Sequence, residues 1–84
     1  MNTPTQPVSP DDIEVGERVS EALIVKRVTV KALAKELGLS YSTMRRTLSG
    51  ERSFTIRQIR HVAETLSINP AILLPSEIAE DLAA

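Results

Sequence analysis

TVKALAKELGLSYSTMRRTLSG, residues Thr29 to Gly50, reads as two short helices joined by a tight turn. Thr29 offers a capping hydroxyl to a helix that carries Leu33, Ala34 and Leu37 on one face and Lys31 and Lys35 on another. Gly38 ends it, because glycine accepts the left-handed backbone at a helix terminus. Leu39 follows as an apolar plug, and Ser40 caps a second helix over 41–49 with Met44 and Leu48 inward at i, i+4 and Gly50 at its close. With those two buried, the helical period turns Tyr41, Ser42, Arg45, Arg46 and Ser49 outward. Ala34 must be small where the two helices cross, so Ala34→Leu or Gly38→Val is expected to unfold the domain.

Working outward, Ser9-Pro10-Asp11-Asp12 joins a capping hydroxyl, a proline suited to the first helical turn and acids that complement the helix dipole. A first helix should run from there to about Arg27, with Val15, Val19, Ala22 and Leu23 inward despite Gly16. Residues 1–8 have few apolar side chains and read as a flexible arm. On the other side, Thr55 and Gln58 have capping-box spacing and open a fourth helix with Ile59, Val62, Ala63 and Leu66 inward. Asn69-Pro70 starts a short fifth helix through Leu74. In the tail, 75–84, Ser76 leaves open a short sixth helix carrying Ile78 and Leu82. The expected architecture is an all-α five-helix bundle occupying 9–74, with no strands.

Eighty-four residues with one Phe, one Tyr, no Trp and no Cys supply one aliphatic core and neither disulfides nor thiolate metal sites. No segment has the length and apolarity of a membrane span, and the amino terminus lacks signal-peptide order, so a cytoplasmic location is expected. The net charge of −1 conceals a division. Between 26 and 62 stand nine lysines and arginines against two glutamates, while both ends are acidic. A basic middle suits a polyanion. Catalysis finds no support: His61 is alone and reads as a surface residue, and no glycine loop cradles phosphate. Asp11 and Asp12 suit a helix start better than a metal, Phe54 suits the core, and no cofactor or small-molecule substrate is implied. RNA binding ranks lower, because the chain has no aromatic platform for stacking bases.

On these residues, Thr29 to Gly50 resembles the helix-turn-helix of the phage lambda repressor-like and Cro-type regulators. The likeness continues in register through Gly16-Glu17-Arg18-Val19 and through Leu66, Ile68, Ile72 and Leu73. It implies a five-helix DNA-binding domain with the helix over 41–49 in the major groove. Two positions depart from the pattern. Val30 stands where many relatives place a phosphate-contacting glutamine, and Leu23 and Leu48 stand where some place a buried Arg–Glu pair. An apolar contact between Leu23 and Leu48 is expected instead, which is plausible because buried ion pairs often cancel their own desolvation.

The expected function is sequence-specific binding of double-stranded DNA by a transcriptional regulator of repressor or Cro type. Tyr41, Ser42, Arg45, Arg46 and Ser49 are the candidates for base contact, Arg45 first because arginine reaches guanine bidentately, with Arg46 leaning toward phosphate. Thr29, Lys31, Ser40, Thr43, Arg52 and Arg57 are the candidates for phosphate contact; Lys35 and Arg60 should face solvent. One domain reads too few base pairs for a genomic site, so a weak homodimer on a palindromic operator is expected. Ile72, Leu74, Ile78 and Leu82, then Ile24 and Val25, are its candidate interface residues. The same apolar surface suits the alternative reading, an antitoxin-type module that binds a protein partner.

Overall fold

A computed structural model describes residues 9–75, and these contain four α-helices, one 3-10 turn and no strand. Helix α1 spans Pro10–Lys26, α2 Val30–Leu37, α3 Tyr41–Leu48 and α4 Ile56–Leu66. Each begins where a side chain supplies the missing acceptor. Ser9, Thr29, Ser40 and Thr55 accept from the amides of Asp11, Ala32, Thr43 and Gln58, and at α4 the Gln58 side chain returns the bond to Thr55 N at 2.9 Å.

The fifth helix expected through Leu74 is a 3-10 turn, Pro70–Leu73. Asn69 Oδ1 accepts from Ala71 N, and Ile72 N and Leu74 N reach back three residues to Asn69 O and Ala71 O. Pro75 then forbids an α-helical continuation, because its ring clashes with a helical preceding residue; Leu74 is extended at φ −81°, ψ 153°. Ile78, Leu82 and the sixth helix, like the arm over 1–8, lie outside the described residues.

Leu33, Met44, Leu73, Val19 and Val62 are fully buried at the centre, with Leu23, Ala34, Phe54, Ala63 and Leu66 around them. Helix α3 packs on α1 and α2, and α4 packs on α2, α1 and the 3-10 turn. Four expected core positions differ. Ala22, Leu37, Leu48 and Ile59 are only half-buried, and the second wholly inward residue of α3 is Thr47. Its hydroxyl donates to Thr43 O at 2.8 Å, so the polar atom is satisfied within its own helix while the methyl packs.

The glycines divide by cause. Gly16 lies in the middle of α1 with ordinary helical backbone, yet a Cβ there would overlap the Leu48 carbonyl, with the Leu48 carbonyl carbon only 2.8 Å away. It is where α1 and α3 touch backbone to backbone. Gly38 has φ +68° and open space around it, so its requirement is conformational alone.

Candidate nucleic-acid interface

Met44 fixes the orientation of α3, since it is wholly buried between α1 and α2. Each helical residue turns about 100°, so Ser42 and Arg46, two positions either side of Met44, point away from the core, one turn apart. Both are exposed. Arg45 is only one step from Met44 and lies on the flank, where it lines a shallow groove with Thr29, Val30, Leu23 and Leu48. Tyr41 stands 53% exposed on that same flank at the helix start. Leu23 and Leu48 thus line one groove, with Leu48 at its rim.

The hydroxyls are already organised among themselves. Ser40 Oγ accepts from Thr43 N at 3.1 Å and donates to Thr43 Oγ1 at 2.9 Å, with Ser42 Oγ at 3.4 Å. Capping therefore holds Ser40, Ser42 and Thr43 in a tight group at the amino end of α3. Ser49 caps the other end, its Oγ 3.0 Å from both Arg46 O and Glu51 Oε2. A carboxylate beside Ser49 repels an approaching polyanion and engages its hydroxyl.

Thr29 and exposed Lys31 sit at the amino end of α2, and exposed Arg57 in the first turn of α4. Arg52 is exposed in the loop between α3 and α4. That loop is tied at several points. The Arg46 carbonyl accepts from Glu51 N at 2.9 Å and Arg52 N at 3.4 Å, and Ser53 Oγ donates to Asp12 Oδ2 at 2.7 Å across 41 residues of sequence. Gly50, at φ +89°, lies where a Cβ would stand 3.0 Å from the Ile13 backbone. Sequence reasoning read Asp12 only as a helix-start acid, and pairing with Ser53 leaves no periodic trace.

Lys35 and Arg60 are exposed, and His61 is half-buried on α4. The candidate interface residues fall into three places. Val25 and Ile72 line a groove between α1 and the 3-10 turn, whereas Ile24 lines the groove that holds Arg45, Leu23 and Leu48. Ile24 and Val25 are 77% and 76% exposed. Leu74 belongs to a third groove with Ile56, Ile59, Pro70 and Ala71. Ile56, 78% exposed at the first position of α4, went unnoticed in the sequence because an apolar residue beside a cap resembles a core residue. Among the described residues, no helix is long and apolar enough to cross a membrane, and no group of three or more His, Asp or Glu is placed to hold a metal ion.

The chain's fold recurs in solved structures, three of whose chains match it. One is the restriction-modification controller protein C.AhdI from Aeromonas hydrophila, 27% identical, with a TM-score of 0.67 over 74% of this chain and 94% of that one. No curated protein sequence matches. The BetR domain model matches residues 13–83, nearly the whole length. The chain is a helix-turn-helix protein of the DNA-binding, transcription-regulating kind, and it belongs to the BetR domain family.

Proposed function

We propose that this domain regulates transcription by reading duplex DNA sequence with α3 in the major groove. The observation that carries the reading is the outer face of α3: Ser42 and Arg46 stand exposed opposite the buried Met44, between a hydroxyl group at one end and the Arg52 loop at the other. Arg46 is the deepest-reaching side chain and the first choice for a bidentate guanine contact, with Ser42 beside it. Arg45 and Tyr41, on the flank that faces the end of α1 and the start of α2, read a neighbouring base pair or its sugar edge. This exchanges the roles that sequence alone gave the two arginines. Ser49 is the weakest base contact of the set, because Glu51 shares its hydroxyl.

Thr29, Lys31, Ser40, Thr43, Arg52 and Arg57 supply the phosphate contacts. In equilibrium titrations against a duplex carrying the preferred site, Arg52→Ala and Arg57→Ala weaken every sequence alike and lower the slope of log affinity against log salt by about 1 each. Unchanged slopes would remove both from the phosphate set.

Two copies on half-sites of a palindrome supply the remaining specificity. The exposed Val25 and Ile72 form the interface between copies, a small apolar patch that suits weak association completed on DNA. The same patch favours, as a second reading, capture of a different protein. Sedimentation of the protein with a palindromic duplex separates the two: two copies per duplex supports the dimer, one supports the other partner.

A further inference from the structure

We propose that Asp12 is a positioning residue for DNA binding: its carboxylate latches the loop over 50–55 onto the first turn of α1 and so holds Arg52 where a phosphate passes. This rests on the assignment of Arg52 to a phosphate. Ser53, immediately after Arg52, donates to Asp12 Oδ2 at 2.7 Å. Gly50, two residues before Arg52, lies against the Ile13 backbone, with room for no side chain. The Arg52 amide reaches the Arg46 carbonyl at 3.4 Å. The loop therefore touches α1 on both sides of Arg52 and α3 at Arg52 itself. A long cation on a free loop loses much conformational entropy when it meets a phosphate, and a loop already pinned loses less.

The inference carries a sign that electrostatics alone would reverse. Asp12 is an acid near a polyanion's path, so removing its charge should tighten binding if charge were its only role. If the latch is its role, Asp12→Ala weakens binding. Exposed hydrogen bonds are worth little, and the expected loss is about three- to tenfold in affinity. Asp12→Asn keeps an acceptor for Ser53 and drops the charge.

The test is a set of duplex titrations with Asp12→Ala, Ser53→Ala, the double variant and Asp12→Asn, repeated in an Arg52→Ala background. Expected are a loss for each single change, at least as large for Ser53→Ala, which keeps the carboxylate, as for Asp12→Ala, a double variant no weaker than Ser53→Ala, affinity at or above that of the parent for Asp12→Asn, and no loss from Asp12→Ala once Arg52 is gone. The salt slope of Asp12→Ala should fall toward that of Arg52→Ala. Amide exchange over 51–54 in the DNA-free protein should quicken in Asp12→Ala and not in Asp12→Asn. Tighter or unchanged binding by Asp12→Ala, or an undiminished effect in the Arg52→Ala background, overturns the proposal. Unchanged amide exchange overturns the latch itself, whereas failure of the parent to bind any duplex condemns the DNA reading instead.

Discussion

Three single residues carry most of what is particular to this chain, and each carries it for a different reason. Gly16 is needed for space. Adding one methyl group must push α1 away from the Leu48 carbonyl, so Gly16→Ala should destabilise by roughly 1–3 kcal/mol or more in urea denaturation. Gly38 is needed for conformation only. Its surroundings are open, and Arg27 and Ser67 hold the same left-handed backbone at the ends of α1 and α4 without being glycine. Gly38→Ala should therefore cost only about 1–2 kcal/mol, and the unfolding expected from sequence for Gly38→Val reduces to a comparable penalty plus the strain of a branched side chain. A Gly38→Ala variant less stable than Gly16→Ala would invert this assignment. Arg46 is needed for neither, and its substitution should leave stability unchanged.

At the scale of elements, the contact of α1 with α3 decides where the reading helix points. Leu23 is buried beneath that contact and Leu48 lies at its edge. Leu23→Ala should cost about 2–5 kcal/mol, Leu48→Ala less, and the double variant less than the sum because the two share a cavity. Strict additivity in denaturation midpoints would show that they do not touch. Capping is the other determinant: Thr55→Ala removes the hydroxyl that accepts from Gln58 N, leaves the bond from Thr55 N to Gln58 Oε1, and should cost about 1 kcal/mol. These elements were legible in the sequence because caps and glycines are local signals; Ser9, Thr29, Ser40 and Thr55 each announce a helix within four residues. What stayed hidden was relational. Gly16 read as a tolerated blemish, since nothing local says that another helix crosses there. Thr47 carries no local sign of its burial, which its 2.8 Å bond to Thr43 O permits. The fifth helix read as α because Asn69-Pro70 opens one well, whereas Pro75 closes it after a single turn.

Over the molecule as a whole, the basic middle of the chain is carried on exposed side chains. The cations of residues 26–62 include Lys31, Arg45, Arg46, Arg52 and Arg57, all exposed, whereas the amino half of α1 is acidic. Such a dipole orients the domain on approach to DNA and makes association strongly salt-dependent. The apolar patch of Val25 and Ile72 is the proposed contact between copies. Val25→Glu should abolish cooperative binding to a palindrome while leaving binding to one half-site within about twofold, as measured by titration of both duplexes; equal losses on the two would place the patch outside the assembly. In the proposed complex α3 reads sequence, and Arg46 reads most deeply. Selection of bound sites from a pool of random duplexes, run side by side with the parent protein and with Arg46→Ala, tests this assignment most directly. A defined, palindromic site is expected for the parent, with a guanine preference lost at one position per half-site in the variant, where the change costs about 1–3 kcal/mol. An unenriched pool for the parent, or the same site at the same strength for both proteins, would contradict it.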